Sequence, residues 1–136
     1  MAAVTRTVGN VMVKSPICVE PWQPVAHARQ LMLMHSFSFL PVRLQNDWWL
    51  LSEVGIAKFL NASSAIKRTR LGMTIEESHS ELELIRIDQN QLLSASHDVD
   101  VVLNRSMVKD GPTLWLVVEE SRSDYLAGVL SPFELM

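Results

Sequence analysis

The chain has 136 residues, of which 48% are apolar and 20% are charged, and its formal net charge is −3. This composition supplies enough apolar side chains for a core and excludes a disordered chain, and the negative charge argues against binding nucleic acid through bulk charge. The longest apolar runs span only a few residues, as at residues 31–34, so the sequence predicts neither a membrane span of about 20 residues nor a signal peptide. Cys18 is the single cysteine, which excludes a disulfide within the chain and favours a reducing, cytoplasmic location.

Five elements are predicted in the first half of the chain, in the order strand, helix, strand, strand, helix. They are a strand at residues 17–19, a helix at 24–35, strands at 39–44 and 48–51, and a helix beginning at Ser52. Pro24 fits the first helical position, where its missing N–H costs no hydrogen bond, and the Ser52 hydroxyl is a typical helix N-cap.

The same order returns in the second half when the chain is compared with itself at a shift of 75 residues. The second copy has strands at residues 92–94, 113–118 and 125–130, a helix at 99–109, and a helix beginning at Ser131. Asp98 stands where an N-cap acceptor belongs. From Trp49 onward the shift is 79, which places a four-residue insertion in the polar turn at residues 119–124. The sequence therefore predicts a duplicated β-α-β-β-α pattern.

The repeat divides the chain into a first copy at residues 8–60, a polar linker at residues 61–81 and a second copy at residues 82–136. A copy of this size buries only about 60% of its unfolded surface and is marginal alone, so the two copies are expected to form one module. The linker carries the basic cluster Lys67, Arg68 and Arg70, for which a solvated patch is favoured over contact with ligand phosphates. The last helix ends within six residues of Ser131, which suggests a truncated C-terminus.

The motifs within this repeat resemble those of tandem cystathionine-β-synthase (CBS) domains, a pair also called a Bateman module. Val11-Met12 resembles the opening Val/Ile-Met of the family, and Phe39 to Val42 resembles its Leu-Pro-Val strand. Gly128 to Leu135 resembles its closing pattern of Gly, two apolar residues, Ser or Thr, two residues, and an acid followed by Leu. The resemblance covers residues 8–136 and implies an α/β (α+β) fold in which two β-α-β-β-α repeats form a CBS domain pair.

Such pairs are regulatory modules, so the resemblance implies a ligand sensor and no enzyme. It implies an adenosyl ligand (AMP, ADP, ATP or S-adenosylmethionine) in a cleft between the repeats, with no required cofactor and no metal. Ser131, at a helix start, would bind a phosphate, and Glu134, where the family usually has Asp, would bind the ribose hydroxyls. The closing residues of one copy face the opening strand of the other in this family, which adds these positions to the predicted ligand site: Val13, Ile17, Cys18, Val19 and Pro41.

The Ser52 cleft of the first copy is predicted to be a weaker second site. Gly55 stands where the ribose carboxylate belongs, and Trp49 replaces the glycine of the closing pattern. These departures keep a second hypothesis open, namely a ligand-free dimerisation or scaffold module that regulates a partner protein. A third interpretation, an enzyme, has little support because no Ser-His-Asp or paired-carboxylate spacing is present.

Structural roles compete with functional ones at several of these positions. Ser131 and Glu134 also fit the S-x-x-E capping box. Cys18 in an apolar strand is typical of a core residue, and one of Trp48 and Trp49 should be buried because strand residues alternate in direction. No metal-ligand spacing is present among the four histidines, which are His27, His35, His79 and His97.

The apolar run at residues 31–34 covers all sides of a helical turn, so an apolar side remains after another has packed on the sheet. Modules of the resembled family dimerise through these helices. The resemblance thus implies a homodimer with Leu31, Met32 and Met34 at the interface. The regulated partner would be another protein or a region outside this sequence.

Overall fold

The computed structural model describes residues 6–100, 102, 114–131 and 134. Its helices are α1 (Val8–Val11), α2 (Val25–His35), α3 (Glu53–Leu60) and α4 (Ser64–Leu71), with a 3-10 helix at Gln89–Gln91. Its strands are β1 (Val13–Lys14), β2 (Phe39–Leu44), β3 (Asp47–Ser52), β4 (Ile85–Ile87), β5 (Trp115–Val118) and β6 (Leu126–Leu130). The helix predicted at residues 99–109 and the one predicted after Ser131 lie largely outside the described residues. Within the described ranges, no helix is both long enough and apolar enough to cross a bilayer.

The elements form two compact units, each with a three-stranded antiparallel sheet. The central unit comprises Ile17–Ile87 and has the strand order β2-β3-β4. The composite unit combines Met1–Pro16 with Asp88–Met136 and has the order β1-β6-β5. The edge strands β1 and β4 pair with β6 and β3, respectively, so each unit contains a short strand that lies in the other predicted copy in sequence. The units are therefore divided at different residues from the predicted copies.

The hairpin of the central unit follows the predicted strands. Leu44 pairs with Asp47, and the two-residue turn between them places Gln45 and Asn46 at φ values of 55° and 66°. Positive φ at both turn residues matches the twist of antiparallel strands. Trp48 is buried and Trp49 is half-buried, which confirms the predicted alternation. The Trp49 indole N–H donates to the Leu44 carbonyl oxygen at 3.0 Å.

The segment predicted to be a linker belongs to the central unit. It contains α4, and its Ile75 side chain is fully buried in the same core cluster as Leu82, Leu40 and Val42. Ile75 contributes its side chain to a core whose other members lie far away in sequence, so this part of the predicted linker is packed into the central unit.

An equivalent backbone hydrogen bond forms in both units and shows which of their residues correspond. In the central unit, the Ile75 N–H donates to the Gln23 carbonyl at 3.0 Å, and in the composite unit, the Val8 N–H donates to the His97 carbonyl at 2.8 Å. Gln23 thus corresponds to His97, a shift of 74 residues. The predicted gap-free shift of 75 is one residue too long before α2.

The opening strands predicted at residues 17–19 and 92–94 are each reduced to a single parallel bridge. Val19 bridges to Val42, and Leu93 bridges to Val117. Val19 corresponds to Leu93 at a shift of 74 residues, whereas Val42 corresponds to Val117 at a shift of 75. The second copy therefore has one extra residue between its two bridge residues. Between β5 and β6, residues 119–125 replace the two-residue turn of the first copy, which confirms the predicted insertion.

Helix α2 begins one residue later than predicted. Pro24 has extended backbone angles (φ −73°, ψ 154°) and is the N-cap, so α2 begins at Val25. The Val25 N–H donates to the Met73 carbonyl at 2.8 Å, which satisfies a donor that the helix itself leaves free. Ser52 is the N-cap of α3, as predicted.

Candidate functional site

Ser131 and Glu134 of the composite unit lie in direct contact at the end of β6. The Ser131 hydroxyl donates to Glu134 Oε2, and the Glu134 N–H donates to the Ser131 carbonyl oxygen at 3.2 Å. Both residues are half-buried. In a capping box the serine hydroxyl would instead accept from the backbone N–H of Glu134. Here the hydroxyl and the carboxylate form one polar pair that faces partly to solvent.

Val13 lies on the strand next to this pair. It pairs with Val129 of β6, two residues before Ser131, and its side chain is 45% exposed. Gly128 makes this close pairing possible: an added Cβ there would lie 2.6 Å from the Met12 sulfur and 2.9 Å from the Val13 carbonyl oxygen. The glycine of the closing pattern is therefore needed for the approach of β1 to β6.

The other predicted ligand residues lie in the central unit. Val19 and Pro41 are buried, and the Val19 N–H donates to the Pro41 carbonyl at 3.0 Å. Ile17 packs against the central core and is half-buried, as is Cys18. Burial raises the pKa of the Cys18 thiol, and the Glu20 carboxylate raises it further. The thiol is therefore held in its protonated form, which is typical of a packing residue and not of a nucleophile.

The predicted second site at Ser52 has a different construction. The Ser52 hydroxyl accepts from the Gly55 N–H at 2.9 Å, as a helix cap does. A Cβ at residue 55 would lie 2.3 Å from the Leu82 carbonyl oxygen. The position that corresponds to Glu134 is thus occupied by backbone, and no carboxylate side chain fits there.

The predicted dimer residues on α2 separate into two kinds. Met32 is only 6% exposed and belongs to the central core, and Leu31 packs partly against that core. Met34 is 66% exposed. The Met32 side chain is thus largely covered within its own unit, and its place at an intersubunit contact stays a prediction.

A groove on the helical face of the central unit was not predicted from the sequence. It has a volume of about 730 Å³ and lies between α2, α3 and α4. Its lining includes the cations Arg29, Lys58 and Lys67. The basic residues are evident in the sequence, but the assignment of residues 61–81 to a linker gave no reason to place Lys67 beside α2 and α3. Among the described residues, no three His, Cys, Asp or Glu side chains lie close enough to hold a metal ion.

Comparison by sequence finds neither a family model nor a curated protein that matches the chain. Comparison by structure finds many solved relatives. The CBS domains of a transcriptional regulator from Streptococcus pneumoniae superpose with a TM-score of 0.70 at 18% identity and cover 96% of both chains. The chain has the fold of a CBS domain pair. This confirms the predicted mixed fold of helices and two small sheets.

Two further CBS-pair structures contain adenosyl compounds. CBSX2 in complex with AMP superposes with a TM-score of 0.67 at 18% identity, with 96% of this chain and 92% of that one covered. The same protein, solved from Arabidopsis thaliana, has a TM-score of 0.66. The CBS domain pair of protein MJ0100, in complex with 5′-methylthioadenosine and S-adenosylmethionine, has a TM-score of 0.65 at 19% identity and covers 97% of this chain and 94% of its own.

Proposed function

We propose that the chain is a regulatory module that binds an adenosyl ligand, such as AMP, ADP, ATP or S-adenosylmethionine, with Ser131 and Glu134 as its main ligand-binding side chains. The observation that carries this proposal is the contact between a hydroxyl and a carboxylate at the end of β6. The proposal is supported by the solved relatives of the same fold that hold AMP, 5′-methylthioadenosine and S-adenosylmethionine. A carboxylate accepts hydrogen bonds from both ribose hydroxyls, and a serine hydroxyl donates to a phosphate or carboxylate oxygen.

Binding would exchange the contact between Ser131 and Glu134 for contacts with the ligand. The Ser131 hydroxyl has one proton to donate, so its donation to a phosphate replaces its donation to the Glu134 carboxylate. The Glu134 carboxylate is then released for the ribose. The ligand shifts the population of conformations only if it binds one arrangement more tightly than the other, and this difference is what a partner would sense.

We propose one high-affinity site per chain. Ser52 is the weaker site, because Gly55 supplies no carboxylate and the Leu82 carbonyl occupies the space next to it. Val13 lies in the same unit as Ser131, so we propose its exposed side chain as an apolar contact of the ligand. Contributions from Ile17 and Cys18 remain predictions of the family resemblance.

Isothermal titration calorimetry on the full chain tests the proposal, with AMP, ATP and S-adenosylmethionine as ligands. We expect at least one of them to bind at about one per chain, and both Ser131→Ala and Glu134→Ala to weaken binding by about tenfold or more, because each removes a charge-assisted hydrogen bond. Ser52→Ala is the matched control and should change affinity by less than about twofold. Binding that survives Glu134→Ala refutes the site.

A ligand-free scaffold is the second candidate, and the closed position at Gly55 favours it. Absence of heat with all three ligands would support this alternative. Under either function we propose a homodimer in which Leu31 and the exposed Met34 contact a second copy, with a regulatory and not a catalytic role. Sedimentation velocity tests the dimer: Met34→Glu should convert it to a monomer, because burying a carboxylate at an apolar contact is costly.

A further inference from the structure

Two equivalent turns, one in each unit, are closed by different side chains. In the central unit, the Glu20 N–H donates to Gln23 Oε1 at 2.8 Å, and the Gln23 N–H donates to the Glu20 carbonyl at 3.0 Å. In the composite unit, at residues 94–97 (the His97 turn), the Ser94 N–H donates to His97 Nδ1 at 2.9 Å, and the His97 N–H donates to the Ser94 carbonyl at 3.1 Å. A side-chain amide therefore closes the first turn, and an imidazole closes the second.

The hydrogen bond within the His97 turn fixes the protonation state of the imidazole. A backbone N–H can only donate, so Nδ1 of His97 must offer its lone pair and carry no proton. A protonated imidazole has an N–H on both nitrogens, which would place two donors against each other at 2.9 Å. Histidine takes up its proton between about pH 5 and 8, whereas a glutamine amide does not titrate. The bond to His97 is thus lost on acidification, and the bond to Gln23 is not.

A carboxylate lies beside the His97 turn. Glu120, in the loop between β5 and β6, accepts from the Ser96 hydroxyl, whose oxygen is 2.9 Å from the Ser94 hydroxyl oxygen. Hydrogen bonds from Ser96 and Ser94 lower the pKa of Glu120, and the charge of His97 lowers it further. Glu120 therefore stays ionised throughout the range in which histidine titrates, and its charge favours the imidazolium.

Other charged side chains lie on the segments that flank the turn within the described ranges. They are three carboxylates and one guanidinium, namely Asp98, Asp100, Glu119 and Arg6. Asp98 is half-buried and its carboxylate accepts from the Asp100 N–H at 3.1 Å, whereas the other three side chains are exposed to solvent, which screens their charges. The surroundings of His97 are thus acidic and favour proton uptake, which the hydrogen bond from Ser94 opposes.

The His97 turn contacts the N-terminal segment of the chain through its backbone. The Val8 N–H donates to the His97 carbonyl at 2.8 Å, and the Gly9 N–H donates to the Ala95 carbonyl at 2.9 Å. Packing there is close, since a Cβ at Gly9 would lie 3.0 Å from the Ala95 Cβ. Val8 is buried in the core of the composite unit. A change in the turn therefore alters the attachment of α1, which leads directly into β1.

We propose that His97 makes the attachment of α1 sensitive to pH. Neutral His97 accepts from Ser94 and stabilises the turn that contacts α1, whereas protonated His97 loses this bond and is attracted to Glu120. Acidification thereby loosens the N-terminal segment, whose strand β1 pairs with β6. The inference goes beyond the proposed function and requires no ligand.

Amide hydrogen exchange of the full chain, followed by NMR, tests the proposal. It is measured at about pH 7.5 and about pH 5.5, near the two ends of the histidine range, and corrected for the intrinsic exchange rate at each pH. We expect protection of the Ser94, Val8 and Gly9 amides to fall by about fivefold at the lower pH, as for the loss of one hydrogen bond. Protection of Glu20 and Ile75, their counterparts in the central unit, should change by less than about twofold.

Exchanging the two acceptors between the turns gives a matched pair of variants. His97→Gln places the acceptor of the central turn in the composite one, so it should keep the protection seen at the higher pH and remove the loss at the lower pH. Gln23→His is the reciprocal variant. It should transfer the loss of protection to Glu20 and Ile75.

Two further variants separate the His97 turn from general effects of acid. His79 Nδ1 lies 2.7 Å from the Glu76 carbonyl oxygen, a contact in which Nδ1 donates and which protonation retains. His79→Gln should therefore behave as the wild type does. Glu120→Gln should move the midpoint of the loss to lower pH, because it removes a charge that favours the imidazolium.

Two results overturn the proposal. They are equal protection of Ser94 at both pH values in the wild type, and a loss that persists in His97→Gln. If His97→Gln does not fold, Gln23→His decides, and pH-independent protection of Glu20 in that variant overturns the proposal as well. No ligand is present in these experiments, so their failure is distinguished from failure of the proposed function.

Discussion

At the scale of single residues, two glycines lie where a segment that belongs to the other predicted copy passes close to the backbone of a unit. The Leu82 carbonyl, just before β4, lies 2.3 Å from the position of a Cβ at Gly55. The Val13 carbonyl oxygen, in β1, lies 2.9 Å from the position of a Cβ at Gly128. Both distances are too short for any side chain, so the glycines are required by the packing of neighbouring chain segments.

We expect Gly55→Ala to lower the free energy of unfolding by about 1–3 kcal/mol, because the new methyl group and the Leu82 backbone cannot occupy the same space. Gly72→Ala is the matched control: its Cβ would meet only the Thr69 carbonyl, at 3.6 Å, and its φ is −83°. That variant should stay within about 0.5 kcal/mol of wild type. Urea unfolding followed by circular dichroism measures both. Equal stability of the two variants would mean that Leu82 does not approach α3.

At the scale of elements, side-chain caps stabilise the two turns that directly precede Ile75 and Val8, the donors of the equivalent backbone hydrogen bonds in the two units. In the central unit, the Thr74 hydroxyl donates to the Glu77 carboxylate at 2.9 Å, and the Glu77 N–H donates to the Thr74 hydroxyl oxygen at 3.0 Å. In the composite unit, the Thr7 hydroxyl donates to Asn10 Oδ1 at 2.9 Å. Since Thr74 directly precedes the buried Ile75, its cap fixes the point at which the chain enters the core.

Replacing Glu77 by alanine should lower the free energy of unfolding by about 1 kcal/mol, because the substitution removes the acceptor for both the Thr74 hydroxyl and the Thr74 N–H. The neighbouring exposed Glu76 provides a control, and Glu76→Ala should change stability by less than about 0.5 kcal/mol. Thermal unfolding monitored by circular dichroism gives the comparison. If both variants melt together, the cap does not contribute to stability.

Several elements were predictable because their signals are local. Phe39–Leu44 is a mostly apolar run that ends at a tight turn, and Ser52 is a cap directly before an apolar helix. Strands β1 and β4 were not predictable, because they have two and three residues and exist only through pairing with β6 and β3. Ile75 is an isolated apolar residue in a polar segment, so its burial depends on partners distant in sequence.

The candidate site also has features that the sequence predicts and features that it does not. The closing pattern was enough to select Ser131 and Glu134 as one candidate site, and the structure brings their side chains into contact. Their role in binding a ligand stays a prediction. The absence of a carboxylate at Gly55 was visible, but its cause is a backbone carbonyl contributed from Leu82, which leaves no mark in the sequence. Met32 was assigned to the surface because a run of four apolar residues does not reveal which side of α2 faces the sheet.

At the scale of the whole molecule, the compact units and the sequence copies have different boundaries, because each sheet takes its edge strand from the other sequence copy. Residues 17–87 contain all three strands of the central sheet, together with the buried Ile75 and Leu82. Residues 8–60, the first sequence copy, lack β4 and both of these core residues. A three-stranded sheet with a covered face is about the smallest independently stable sheet, so the loss of one strand is severe.

We therefore expect the fragment of residues 17–87 to fold and the fragment of residues 8–60 to remain largely unfolded. The first should give a dispersed 1H–15N correlation spectrum and a cooperative urea transition at lower stability than the full chain, because a unit of this size is marginal. The second should give a narrow amide spectrum, because β3 then has an unpaired edge and the core lacks Ile75 and Leu82. Substituting both Ile75 and Leu82 by alanine in the longer fragment should remove its transition, since each large-to-small change costs about 2–5 kcal/mol. Equal folding of the two fragments would show that the sequence copy, and not the strand-exchanged unit, is the unit of stability.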